Sequence, residues 1–104
     1  MIDKNFEVSE DITSNGVKFT IKGHINSDNS EKLEKVLQKA LGDGINNIVL
    51  NMIFVSFLSS AGIKVILKAY QDAHKAGGTL GIEKPSQNVK NVLGMAALHD
   101  MLIR

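Results

Sequence analysis

Two adjacent serines, Ser59 and Ser60, occupy the position in this chain that is best suited to chemistry. They follow an apolar segment and precede a helical apolar pattern, so they are predicted to lie where a loop enters a helix. Serine is a preferred N-cap residue, because its hydroxyl accepts a hydrogen bond from an unpaired backbone N–H group. The same helix end tolerates a phosphate, because free N–H groups and the positive end of the helix dipole face the anion. The pair can therefore cap a helix, carry a regulatory phosphate, or do both.

Side-chain groupings typical of enzymes and metal sites are scarce. The chain has three histidines and no cysteine, and no two histidines have the i, i+4 spacing of a helical metal site. His74 is interpreted as a residue at the edge of the core. No serine lies in a G-x-S-x-G motif, and Gly77-Gly78 lacks the strand-then-helix context of a phosphate-binding loop. We therefore expect no catalytic residues, no metal and no cofactor, and predict that the protein is not an enzyme.

The composition predicts one small folded domain over residues 1–104. Of the 104 residues, 43% are hydrophobic and only one is proline, which is typical of a chain with a single core. The formal net charge of +1 gives no electrostatic signal for nucleic-acid binding. No apolar run is long enough to span a membrane, and the first residues lack the apolar region of a signal peptide. We expect a cytoplasmic monomer.

Two hydrophobic periods alternate along the chain and predict an α/β fold. Alternating runs around Ser14-Asn15-Gly16 predict an N-terminal hairpin with strands over 6–12 and 17–22. Further strands are predicted over 48–52, 79–82 and 101–103. Three helices are predicted: the first follows the cap candidates at 27–31, the second spans about 59–76, and the third begins at 85. The order β-β-α-β-α-β-α-β implies a mixed sheet with parallel crossovers. It leaves open whether the helices cover one face or both.

Finer details of these elements are also predicted. Asp28 and Glu31 have capping-box spacing at the start of the first helix. The continuous apolar run over 48–52 favours a strand that is covered on both faces. The apolar stripes of the first two helices are predicted to be Leu33, Val36, Leu37, Ala40 and Leu41, and Ile63, Ile66, Leu67, Tyr70 and His74.

The segment from Asn47 to Leu67 resembles the signature of STAS domains, specifically of the bacterial anti-sigma factor antagonists. That signature is an apolar strand ending in Asp or Asn, a short loop, the pattern Asp/Ser-Ser-Ser/Thr/Ala-Gly-Leu, and an apolar helix. Residues 59–63 read Ser-Ser-Ala-Gly-Ile. Residues 23–26 likewise resemble the family's Gly-x-Leu/Ile-Asp segment. The resemblance implies a small single-domain STAS-like fold over nearly the whole chain.

The function implied by this resemblance is a phosphorylation-switched binding protein. In such systems a GHKL-type serine kinase, which is also the anti-sigma factor, either binds the unmodified antagonist or phosphorylates it. Binding sequesters the kinase and releases the sigma factor, and a PP2C-type phosphatase removes the phosphate. The modified serine lies directly before the Ser/Thr/Ala-Gly pair, which is Ser60 here, with Ser59 as the alternative acceptor.

The resemblance also implies a partner-binding surface. Ser59 and Asn26 stand where many relatives carry aspartate, so two negative charges are missing near the expected phosphate. Ile53 and Phe54 stand where relatives often carry polar or acidic residues, and they are either buried beside the core or an exposed apolar contact. The expected surface consists of Asn26, Ile53, Phe54, Ser59, Ser60, Gly62 and Lys64.

A second hypothesis comes from a different functional class. Small STAS subunits of bacterial transport assemblies, such as lipid-transport ATPases, bind their partner constitutively and need no phosphorylation. The two hypotheses differ in whether a neighbouring gene encodes a serine kinase or a transport ATPase.

Overall fold

A computed structural model describes residues 6–95 of the chain. The strands are β1 (Glu7–Ile12), β2 (Val17–Ile25), β3 (Asn47–Leu58) and β4 (Thr79–Glu83), and the helices are α1 (Ser27–Gly42), α2 (Ser60–Lys75) and α3 (Gln87–Met95). This order confirms the predicted α/β fold as far as the third helix. The strand predicted over 101–103 lies outside the described residues. Between residues 6 and 95, no helix combines the length and the apolar character needed to cross a membrane.

The four strands form one mixed sheet in the order β1-β2-β3-β4. β1 and β2 are antiparallel, and their turn is closed by hydrogen bonds from Thr13 N to Gly16 O (2.9 Å) and from Gly16 N to Thr13 Oγ1 (3.0 Å). β2, β3 and β4 run parallel to one another. Parallel strands end at the same side of a sheet, so α1 and α2 begin beside each other. We call this side the carboxyl edge.

One face of the sheet is buried and the opposite face is largely open. The side chains of β2 alternate strictly, with Phe19 and Ile21 almost fully buried and Lys22 and His24 exposed. β3 alternates in the same way over its first half, which corrects the prediction that this strand is covered on both faces. α1 and α2 pack side by side on the buried face. Among residues 6–95, no helix lies over β2 on the other face, which is called the open face below.

The buried stripe of α2 is rotated from the predicted one. It consists of Gly62, Ile66, Ala69 and Ala73. His74, predicted at the core edge, is exposed, and its ring lies against Tyr70 with 4.5 Å between centroids. A hydropathy pattern gives most weight to large apolar side chains, whereas a helix that packs closely on a sheet buries its small ones.

Candidate functional site

The ends of β2 and β3 bring two helix starts together at the carboxyl edge. Ile25 and Leu58, the last residues of the two strands, are partners in the parallel register. The Ser59 N–H donates a hydrogen bond to the carbonyl of Ile25 at 2.9 Å, which ties the residue before α2 to the end of β2. The predicted site residues around Asn26 and Ser59 are therefore neighbours in space, although they are far apart in sequence.

Each of these two helices is capped by its preceding residue. The Asn26 Oδ1 atom accepts a hydrogen bond from the Asn29 N–H at 2.9 Å, and the Ser59 Oγ atom accepts one from the Gly62 N–H at 3.1 Å. Asn26 thus caps α1, and the predicted capping box that begins at Asp28 is wrong. Asp28 lies in the first turn instead, where its negative charge faces the positive end of the helix dipole.

The two adjacent serines have different environments. Ser59 is half-buried, and its hydroxyl is engaged as the α2 cap. Ser60 is the first residue of α2 and is exposed, and its hydroxyl has no hydrogen-bond partner within residues 6–95. A kinase needs a hydroxyl that it can reach and deprotonate. The Ser60 hydroxyl is accessible in this way, whereas the Ser59 hydroxyl has a structural role as the cap.

The difference between the serines predicts different effects on stability. Ser59→Ala removes a cap and is expected to lower the free energy of unfolding by about 0.5–2 kcal/mol. Ser60→Ala removes an exposed hydroxyl and is expected to stay within about 0.5 kcal/mol of the parent. Urea denaturation followed by circular dichroism measures both, and equal losses for the two variants would contradict the assignment of the cap.

Gly62 lies where no side chain fits. A Cβ atom at this position would lie 2.6 Å from Ile25 Cγ2 and 2.8 Å from Leu58 Cδ1. The absence of a side chain therefore lets the first turn of α2 rest directly on the ends of β2 and β3. Gly62 is buried and positions its neighbours.

Gly62→Ala is expected to be worse than the same change at Gly42, which is also helical but has nothing within 4 Å of the added Cβ atom. Alanine is favoured over glycine in helices by about 1 kcal/mol, so Gly42→Ala should be neutral or stabilising. At Gly62 the overpacking cost of about 1–3 kcal/mol opposes that gain. The free energies of unfolding of the two variants should differ by about 1–3 kcal/mol, and identical values would show that the contact relaxes without cost.

β3 continues to Leu58, whereas the sequence predicted a loop after Met52. Hydrogen bonds from the start of α3 support this extension. Ser86 N donates to Met52 O at 3.2 Å, Ser86 Oγ donates to Val55 O at 2.6 Å, and Asn88 Nδ2 donates to Ser56 O at 2.7 Å. These partners lie 31 or more residues away along the chain, beyond any local pattern.

Ser86 also marks the start of α3. Its Oγ atom accepts a hydrogen bond from the Val89 N–H at 3.2 Å, so Ser86 acts as the cap. Pro85 therefore precedes the cap, whereas the sequence predicted it in the first turn.

Ile53 and Phe54 lie on the extended part of β3 and are exposed, at 46% and 59%. The alternative that this pair is buried beside the core is therefore wrong, and the exposed apolar contact stays a prediction. Phe57 is a third exposed apolar side chain that the sequence analysis missed; it is 48% exposed, and its ring lies 6.3 Å from that of His24.

Lys64 is exposed on α2, one turn beyond Ser60. Residues at this i, i+4 spacing share one face of a helix, so the ammonium group can approach an anion carried by Ser60. No cluster of three or more potential metal ligands is present among residues 6–95. The chemistry that this edge offers is therefore an accessible hydroxyl at a helix start, with a cation on the next turn and apolar side chains on the adjoining strand.

The fold is shared with solved anti-sigma factor antagonists. The unphosphorylated form of SpoIIAA has a TM-score of 0.82 and 19% sequence identity, over 94% of this chain and 85% of that chain. The phosphorylated form of the Bacillus cell fate determinant SpoIIAA has a TM-score of 0.76 and 19% identity, over 94% and 88%. An anti-sigma factor antagonist from Mycobacterium paratuberculosis has a TM-score of 0.82 and 18% identity, over 93% and 82%.

These identities establish a common fold, and the family follows from the sequence itself. Residues 3–104 match the STAS domain family. The match spans nearly the whole chain and includes the Ser-Ser-Ala-Gly segment at the start of α2. The resemblance found in the sequence is thus confirmed, and this chain belongs to the STAS domain family.

Proposed function

We propose that this protein is an anti-sigma factor antagonist whose binding to a serine-kinase anti-sigma factor is switched by phosphorylation of Ser60. The observation that carries the proposal is the exposed Ser60 hydroxyl at the first position of α2, free of hydrogen bonds to residues 6–95. The likeness to SpoIIAA, which has been solved in unphosphorylated and phosphorylated forms, supports it. In this proposal the unmodified protein sequesters the kinase and releases the sigma factor, and a PP2C-type phosphatase restores the unmodified state.

The local structure is suited to accept a phosphate without unfolding. A phosphate adds about −1.5 to −2 charges at pH 7 and would meet the positive end of the α2 dipole, an interaction worth about 0.3–1 kcal/mol. Lys64 lies on the same face of the helix. Asn26 and Ser59 are neutral where many relatives carry aspartate, so two sources of repulsion are absent. The charge is therefore tolerated in the free domain.

The seven residues of the expected partner surface fall into two groups that differ in solvent exposure. Ile53, Phe54, Ser60 and Lys64 are exposed and are proposed to contact the partner directly. Asn26, Ser59 and Gly62 are half-buried or buried and are engaged in caps or in close packing. We assign these three to positioning the helix starts.

The test is to locate the phosphate. Wild type, Ser59→Ala and Ser60→Ala are each incubated with ATP and a GHKL-type serine kinase encoded beside this gene, and the peptides are analysed by mass spectrometry. We expect phosphate on Ser60 in wild type and Ser59→Ala, and none in Ser60→Ala. Phosphate on Ser59 alone would move the site by one residue. No phosphate at either position, with constitutive binding to a transport ATPase, would favour the transport-subunit hypothesis.

A further inference from the structure

The extended part of β3 contains two irregularities in its pairing with β2. Thr20 pairs with Asn51, but Lys22 pairs with Phe54. Further along, Gly23 pairs with Val55, but His24 pairs with Phe57. In each case β3 contains one residue more than β2, which is the definition of a β-bulge.

At each bulge, a side-chain amide forms a hydrogen bond with one backbone group of β3. At the first, the Asn51 Oδ1 atom accepts a hydrogen bond from the Ile53 N–H at 3.2 Å. At the second, Asn88 Nδ2 donates to the carbonyl of Ser56, the additional residue, at 2.7 Å. Each bulge thus has a specific side-chain partner, and we interpret both bulges as defined features of the fold.

The bulges decide which face the aromatic side chains occupy. Under strict alternation from the buried Met52, Phe54 would point into the core and Val55 would point out of it. The first bulge reverses this pair, so that Phe54 shares the open face with Lys22 and Val55 is 1% exposed. The second bulge keeps Phe57 on the open face, beside His24.

The result is a cluster of exposed apolar side chains, Ile53, Phe54 and Phe57, called the aromatic patch here. The three are between 46% and 59% exposed and lie within five consecutive residues. Single exposed apolar residues are ordinary, whereas a contiguous group rimmed by polar residues is typical of an interaction site.

Two exposed lysines border the aromatic patch, one on each side. Lys22 lies beside it on β2, and Lys84 lies in the segment that follows β4 and runs alongside β3. Neither lysine forms an ion pair within residues 6–95. Lys18, farther along the open face, is already paired with Glu83. Glu7 pairs with Lys22 in the β1–β2 register and is one strand farther from the aromatic rings.

We propose that the aromatic patch is a docking surface for a protein segment with apolar side chains at its centre and carboxylates at its rim. The proposal extends the proposed function, because it defines the chemistry of the partner that contacts β3. A second copy of this chain fits poorly, because it would bring like charges together. A membrane fits less well than a protein, because the patch lies on a flat sheet face and not on a protruding loop or amphipathic helix.

The first test uses synthetic probes and no kinase. An amphipathic peptide with leucines on one side and glutamates along its flanks is titrated into the labelled protein, and amide chemical shifts are followed by NMR. We expect shifts centred on Lys22, His24, Phe54 and Phe57. The same peptide with lysine in place of glutamate should bind at least about tenfold more weakly. Equal binding of both peptides, shifts confined to other surfaces, or preferential binding to phosphatidylserine vesicles would overturn the proposal.

Matched variants test the apolar side chains and the lysine charge of the surface separately. The double variant Phe54→Ser/Phe57→Ser should lose at least about tenfold in affinity for the glutamate peptide. Ile12→Ser, at a 69% exposed isoleucine on β1, should leave the affinity unchanged. Lys22→Glu should weaken binding by about threefold or more, whereas Lys68→Glu on α2 should not. Circular dichroism confirms that each variant is folded.

Kinase binding by these variants distinguishes the docking surface from the switch at Ser60. Loss of kinase binding in the double phenylalanine variant, with the Ser60→Ala variant still bound, would support the docking surface independently of phosphorylation. Unchanged kinase binding in the double variant would overturn the docking surface and leave the Ser60 switch standing.

Discussion

Phosphorylation of Ser60 is expected to weaken binding to the proposed serine-kinase partner at least about a hundredfold while the domain stays folded. In the free protein the new charge meets the start of α2 and remains hydrated, so the melting temperature should change little. In the complex the same charge is taken out of water against a surface that bound a neutral hydroxyl. Burying an unpaired ionised group costs several kcal/mol, and each 1.4 kcal/mol corresponds to a tenfold change in affinity.

Titration calorimetry with the purified kinase measures this effect. Ser60→Ala should bind like the unmodified protein and resist modification, and Ser60→Asp should bind poorly, since one carboxylate reproduces only part of the phosphate charge. Ser14→Asp, at an exposed serine in the β1–β2 turn, is the control for added charge and should bind normally. If phosphorylated protein and Ser60→Asp bind as tightly as wild type, the switch is refuted.

The largest expected losses of stability come from Leu50→Ala and Ile66→Ala. Both side chains are 0% exposed, one in the middle of β3 and the other on the sheet-facing side of α2. Truncating a buried Leu or Ile to Ala costs about 2–5 kcal/mol, because apolar contacts are lost and a cavity remains. A domain of this size has a total stability of about 5–15 kcal/mol, so either variant should be severely weakened.

Urea denaturation measures these losses, with Val49→Ala as the control. Val49 is the neighbour of Leu50 on β3 but points to the opposite face and is only half-buried. Its truncation should therefore cost clearly less than that of Leu50. Comparable costs for Val49 and Leu50, or a nearly unchanged midpoint for Ile66→Ala, would mean that the buried face has been assigned incorrectly.

The local sequence was sufficient to predict most of the elements of this fold. The Asn15-Gly16 turn between two alternating runs predicted the hairpin, because few backbone conformations close such a tight turn and glycine adopts them readily. The helical periods of α1 and α2 and the apolar runs of β3 and β4 predicted the rest of the order. The Ser59-Ser60 pair was likewise visible, since a serine before an apolar helical pattern is a cap signal in its own right.

Only the tertiary structure decided how the elements face one another. The hydropathy period predicted where α2 lies in the sequence but not which side of the helix faces the sheet. Close packing on the sheet buries Gly62 and Ala69 rather than the larger Ile63. Hydropathy also could not separate Ser59 from Ser60. That difference depends on the hydrogen bond to Gly62 and on the contact of Gly62 with the end of β2.

The face of the sheet that Phe54 and Phe57 occupy also could not be predicted from the local sequence, because it depends on tertiary contacts. In a strand, one additional residue moves every following side chain to the opposite face. The two bulges in β3 depend on the register with β2 and on Asn88, which contacts Ser56 from a helix that begins some thirty residues later. A local pattern therefore identifies the apolar residues of this segment, whereas long-range hydrogen bonds determine which of them enter the core and which are exposed on the open face.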